Sequence, residues 1–343
     1  MRTLGRRLVG LFVLLAALAG GRVACAQAPA AAASPKPTPA TAQAASKSET
    51  VVLDTPGGRL HGTLELPARG AAPHAVALII SGSGPTDRNG NSSVIPGANN
   101  SLKYLAEGLA AAGIASLRYD KRGVAESVMA AKSEEDLRFD TYIEDAVLWG
   151  QRLRADKRFG ALVVVGHSEG SLIGMVAARR LGAEGFVSVA GAGRRADVVI
   201  LEQMKQQLSP ELYAKTEEIF RALAEGKVVA DVPPALAPLF RPSVQPYVGS
   251  WLRYDPAAEV SKLKVPVLIA QGEHDLQVSV EDARLLSKAQ PSAKLLLVAG
   301  MNHVLKDAPS DASRQAAAYS DPALPVAPKL LAEVIAFVKG IKK

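Results

Sequence analysis

From residue 75 onward, short apolar runs alternate with longer stretches in which apolar positions recur every three or four residues. The runs occupy residues 75–80, 114–119, 162–165, 186–190, 265–270 and 294–298. The helix-period stretches between and after them occupy 101–112, 139–154, 169–181, 280–290 and 326–339. A strand apolar on both sides must be covered on both sides, and strands that alternate with helices connect in parallel. The pattern therefore predicts a parallel sheet sandwiched between helices, with any chemistry in the loops beyond the carboxyl ends of the strands. Upstream, residues 51–54 and 60–66 flank a Thr-Pro-Gly-Gly turn, which predicts a β-hairpin.

One interval breaks the rhythm. Residues 194–261 separate two sheet strands and carry helical apolar spacings (Leu201, Met204, Leu208; Ile219, Phe220, Leu223) around a proline-rich middle. A structureless loop of that length is implausible inside a folded domain, so the interval predicts an inserted helical lid. The core is then divided into residues 49–193 and 262–343.

The N-terminus follows a different rule. Arg2, Arg6 and Arg7 precede an apolar run over 8–19 and the small-residue site Ala24-Cys25-Ala26. These are the parts of a secretory signal peptide over residues 1–26, and they predict a periplasmic or secreted protein with no membrane span after cleavage. Residues 27–48, rich in Ala and Pro, read as a solvated linker. Cys25 is the only cysteine, so a mature chain cut after Ala26 has no disulfide. Arg22 at the third position before Cys25 argues against a lipid anchor.

Charge narrows the function classes. Of the formal net charge of +7, four positive charges lie in residues 1–26, which hold no acid, and the remainder carries only +3. With no basic run in the body of the chain, no nucleic-acid partner is expected. The residues show no His-Glu-x-x-His, no cysteine pair and no acidic calcium loop, so no metal is expected. No cofactor is expected either, since neither a dinucleotide-type nor a P-loop glycine pattern is present.

The chemistry concentrates at residues 161–170, ALVVVGHSEG: an apolar strand running into G-x-S-x-G, then a helix. Such a turn holds a serine in a strained conformation, and its close neighbours must lack side chains, as Gly166 and Gly170 do. Ser168 is thus the candidate nucleophile. A serine hydroxyl needs a base, and the base needs a carboxylate to fix its tautomer. On a sheet of this kind the order along the chain is Ser, Asp or Glu, His. Of five histidines, only His274 and His303 follow the serine at a useful distance. His274 directly precedes Asp275, which leaves His303 as the base and Asp275 as the acid. Glu273 is the nearest rival for the acid, and Asp255 and Asp197 are weaker ones. Two backbone N–H groups are needed to hold the developing oxyanion. One is expected from Glu169, after the nucleophile. The other is expected from Ser83, in the Gly-rich loop Ser81-Gly82-Ser83-Gly84-Pro85 that follows the run 75–80. Two polar clusters, 87–91 (DRNGN) and 118–123 (RYDKRG), read as loop-bracing ion pairs or as contacts for a polar substrate group.

With these segments in place, the chain resembles bacterial α/β-hydrolase carboxylesterases that carry SGSGPxDRxGN, here 81–91, together with RYDKRG, the GHSEG elbow and GMNHVLK at 300–306. The resemblance runs from about residue 49 to the C-terminus. It implies an α/β-hydrolase fold, mostly parallel with helices on both faces and an inserted helical lid, and a secreted or periplasmic serine esterase acting on short-chain acyl esters. By motif position it implies the same triad, Ser168, Asp275 and His303. Ser171 departs from the second glycine that many relatives carry after the elbow; a serine fits a helix there, so little consequence is expected. An aminopeptidase or acyl thioesterase on the same fold is the alternative. For a peptidase, Glu169 or Glu273 would hold the substrate ammonium. A non-catalytic binding protein is a third reading, disfavoured by a complete triad.

Overall fold

The computed structural model describes residues 46–70 and 72–342. The expected signal peptide and most of the Ala/Pro-rich stretch lie outside the described residues. Strand β1 (Lys47–Thr55) pairs antiparallel with β2 (Gly58–Leu66), from Lys47 opposite Leu66 to Thr55 opposite Gly58. Residues 47 and 48, assigned above to the linker, therefore belong to the sheet. The cause is polar: the hydroxyls of Ser46 and Ser48 donate to the Glu65 carboxylate, which also receives Arg118 at 3.2 Å. Apolar patterning carries no trace of such a contact.

Six strands form the parallel body: β3 (His74–Ile80), β4 (Ala115–Tyr119), β5 (Phe159–His167), β6 (Gly185–Val189), β7 (Val267–Gly272) and β8 (Lys294–Val298). The spatial order is β1-β2-β4-β3-β5-β6-β7-β8, with the hairpin added antiparallel onto β4. Side chains alternate across the sheet. Leu78, Ile80, Val164 and Phe186 enter one apolar cluster, and Ala77, Ile79, Val165 and Val187 enter the other. Helix α1 (Ser101–Ala111) covers the second face with Leu102, Leu105 and Leu109, while α2 (Phe139–Ala155) and α3 (Glu169–Leu181) cover the first.

Between β6 and β7 come α4 (Ala196–Met204), α5 (Pro210–Ala224), α6 (Ala237–Phe240), α7 (Gln245–Trp251) and α8 (Pro256–Ser261). Their buried side chains, among them Ile219, Phe220, Phe240, Val248 and Trp251, belong to the same cluster as the first sheet face. The insertion thus extends the core. Phe139, which opens α2, lies parallel to Trp251 with ring centroids 5.8 Å apart. The Phe139 N–H donates to Ser250 Oγ at 2.7 Å, and that hydroxyl donates on to the Tyr247 carbonyl at 2.7 Å. Arg138 precedes α2 without a side-chain cap, so a residue of the insertion satisfies one of the orphan donors of that helix.

After β7 come α9 (Val280–Ala289), α10 (Ala312–Gln315) and α11 (Pro328–Gly340). Helix α11 starts two residues later than its apolar period suggests because Pro328, lacking an N–H, suits the first helical position. Its residues Leu330, Val334 and Val338 close the second sheet face.

Candidate active site

Strand β5 runs into Ser168 without a spacer. Ser168 has φ 55° and ψ −122°, a conformation L-residues rarely adopt, and α3 begins at the next residue. The flanking glycines are required sterically. A Cβ at Gly166 would fall 2.2 Å from the Gly170 carbonyl oxygen, and one at Gly170 would fall 2.4 Å from that of Ile80. Ser171, in the first turn of α3, has its hydroxyl 2.7 Å from that of Ser188.

The loops after β7 and β8 bring the other two predicted residues to this turn. His303 Nε2 lies 3.1 Å from Ser168 Oγ, and His303 Nδ1 lies 2.9 Å from Asp275 Oδ2. The Asp275 carboxylate also accepts from the Gln277 N–H at 2.8 Å, the Val278 N–H at 3.0 Å and Gln271 Nε2 at 3.0 Å. With the Asp275 oxygen as acceptor, the His303 proton sits on Nδ1, which leaves Nε2 free to accept from Ser168. The rivals are placed elsewhere. Asp255 caps α8 through the Ala258 N–H, Asp197 pairs with Arg195, and Glu273 is exposed.

His167 supports His303 from behind, its Nε2 donating to the His303 carbonyl at 2.8 Å. Burial, aided by the charge of nearby His303, pushes the His167 pKa down to about 4. The ring is therefore a neutral structural donor at neutral pH.

The loop after β3 passes close to Ser168. A Cβ at Gly82 would lie 3.1 Å from Ser168 Cβ and 3.3 Å from His167 Nδ1, tight contacts that would require these neighbours to shift by a few tenths of an ångström. Neither the Ser83 nor the Glu169 N–H donates to a protein group among the described residues. The two polar clusters of the sequence interlock to brace this loop. The Arg88 N–H donates to Asp120 at 2.8 Å, Arg118 Nε donates to Asn89 at 3.1 Å, and Asp87 accepts the N–H groups of Asn89 and Asn91. Behind them Arg122 pairs with Asp145 at 2.6 Å, and burial nonetheless raises the Asp145 pKa to about 6.

Glu169 lines the cavity beside Ser168, and both oxygens of its buried carboxylate are bound within the protein. It pairs with Lys121 at 2.7 Å and accepts from the Tyr247 hydroxyl of α7. Burial and the Glu169 charge hold the Tyr247 hydroxyl well above its ordinary pKa, so it stays a donor. Beside Ser168 and His303 opens a cavity walled mainly by Leu172, Ala192, Val199, Trp251, Pro256 and Val278, with Gln203 and Gln277 among its polar lining. Arg194, also at its edge, is held by Asp282 at 2.7 Å and Glu202 at 2.6 Å.

The sequence reading did not single out Gln271, His167 or Tyr247. Gln271, a polar residue at the end of an apolar strand, carried a signal; Tyr247, on a helix of the insertion, carried none. Among the described residues no group of His, Cys, Asp and Glu is disposed to hold a metal ion, and no helix is long and apolar enough to cross a membrane.

A strained serine between strand and helix, a histidine and a carboxylate from later loops, and a mostly parallel eight-stranded sheet define an α/β-hydrolase. The chain matches the serine aminopeptidase S33 family over residues 98–307 and belongs to it. It is 30% identical over 251 residues to esterase EstD of Thermotoga maritima, an alignment that covers 72% of this chain and 58% of that protein's length. Est1E from Butyrivibrio proteoclasticus shares the fold with a TM-score of 0.53 at 18% identity, covering 84% of this chain and 96% of that one. A puromycin-hydrolyzing peptidase of Mycobacterium tuberculosis does so with a TM-score of 0.55 at 17% identity, covering 88% of this chain and 40% of that one.

Proposed function

We propose that this chain is a serine carboxylesterase that hydrolyses short-chain acyl esters through an acyl-enzyme. The observation that carries the reading is the continuous relay Ser168 Oγ–His303 Nε2 and His303 Nδ1–Asp275 Oδ2, at 3.1 and 2.9 Å. In this mechanism His303 takes the Ser168 proton as Oγ attacks the acyl carbon, and the Ser83 and Glu169 amides receive the oxyanion. The alcohol leaves with the proton from His303. Water, deprotonated by the same ring, then attacks the acyl carbon and frees Ser168, while Asp275 orients the imidazole throughout.

The cavity favours an ester over an aminopeptidase substrate. A peptidase that trims N-termini needs a free carboxylate for the substrate ammonium. Glu169 is committed to Lys121 and Tyr247, and Glu273 is absent from the cavity wall. The apolar side chains there suit a short acyl chain, and the similarity to EstD points the same way. Export through residues 1–26 belongs to the same proposal. Ser168→Ala is expected to lower kcat on p-nitrophenyl butyrate by roughly a millionfold. Side-by-side rates on p-nitrophenyl esters, acyl-CoAs and aminoacyl-anilides should rank esters first. Retained turnover in the alanine variant, or anilides as the best substrates, would overturn the reading.

A further inference from the structure

Lys121 lies two residues beyond the end of β4, and its side chain is 2% exposed. Its ammonium is bound within the protein. It donates to the Gly82 carbonyl at 2.6 Å and to Glu169 Oε2 at 2.7 Å, and it sits 5.1 Å from the centre of the Tyr142 ring. Two of its three N–H groups are taken by these oxygens and the side chain is buried, so its effect on the reaction is argued through these partners.

A buried Lys–Glu pair contributes little net stability, because desolvating two charges offsets most of their attraction. Its partners give this pair a different use. The Gly82 carbonyl belongs to the same planar peptide as the Ser83 N–H, and in a trans peptide the two point in opposite directions. Drawing the Gly82 oxygen toward Lys121 therefore aims the Ser83 N–H the other way. The cation also polarises that amide and strengthens its N–H as a donor. Gly82 itself packs against Ser168, so this peptide lies beside the nucleophile. At the other end of the pair, Glu169 carries the second N–H expected to receive the oxyanion. Tyr247 of α7 holds the remaining oxygen of the Glu169 carboxylate.

From this geometry we infer that Lys121 is a positioning residue that sets the direction and spacing of both oxyanion donors at once. The inference rests on the serine-esterase reading above. One buried cation, tied to the loop after β3 and to the first residue of α3, fixes two amides that come from different parts of the chain.

The test compares Lys121→Met, Lys121→Arg and the double variant Lys121→Met/Glu169→Gln with the unaltered chain. The double variant removes both buried charges together, so it remains informative if the single methionine variant does not fold. Two quantities are measured on folded protein: kcat and KM for p-nitrophenyl butyrate, and the Ki of an alkyl trifluoromethyl ketone, which forms a tetrahedral oxyanion adduct on Ser168. In the methionine variants kcat is expected to fall about ten- to a hundredfold with KM changed less than about threefold. The ketone Ki should rise in parallel with the loss of kcat, and arginine should retain more activity than methionine. Folded variants with unchanged kcat and Ki would overturn the inference and leave the esterase reading intact. An unaltered chain that neither hydrolyses the ester nor binds the ketone would bring down the reading on which it rests.

Discussion

His167 shows how one residue of the elbow ties stability to pH. Its folded pKa, about 4, lies below the ordinary histidine value of 6.5. Between those values the unfolded chain binds the proton and the folded chain does not, so stability falls as pH falls from 6.5 toward 4. The neutral ring thus contributes stability that is fully present above pH 6.5, on the order of 3 kcal/mol by linkage. Gln can keep the hydrogen bond to the His303 carbonyl without titrating. In His167→Gln, the decline of the thermal midpoint between pH 6.5 and 4 is expected to be shallower than in the unaltered chain, as scanning calorimetry would show. That Ser168, Asp275 and His303 come together was legible in the sequence because chain order and glycine spacing constrain where they fall. Tyr247 was not, because a long-range hydrogen bond leaves no periodic signature.

At the scale of elements, strands and helices with one or two apolar faces follow the hydrophobic period closely. Their ends depart from it where polar or backbone chemistry decides, as at β1 with Ser46 and Ser48 and at α11 with Pro328. The start of α2 is the clearest case, since its N-terminal donor is met from the insertion by Ser250, 111 residues away. Ser250→Ala leaves the Phe139 N–H buried without an acceptor. A loss of about 1–2 kcal/mol in chemical denaturation is expected, and a loss near zero would show that α2 needs no such cap.

At the scale of the molecule, the insertion that the sequence marks as a helical lid shares one apolar cluster with the sheet. The chain has two tryptophans, Trp149 in the core helix α2 and Trp251 in the insertion. Trp251→Phe leaves emission that reports the core, and Trp149→Phe leaves emission that reports the insertion. In each variant the fluorescence change on heating is expected to coincide with the loss of far-UV circular dichroism, as one cooperative unit requires. An insertion that melted first in Trp149→Phe would contradict the shared core.

The contact between Tyr247 and Glu169 bears on how such proteins diversify. An insertion attached only at its ends could be exchanged between relatives as a cassette, with new substrate walls arriving on an unchanged catalytic base. Here the cassette carries part of the base with it: the hydroxyl that holds Glu169 and the hydroxyl that caps α2. A graft that lacked a tyrosine and a serine at these two places would leave the Glu169 carboxylate and the Phe139 N–H without these partners.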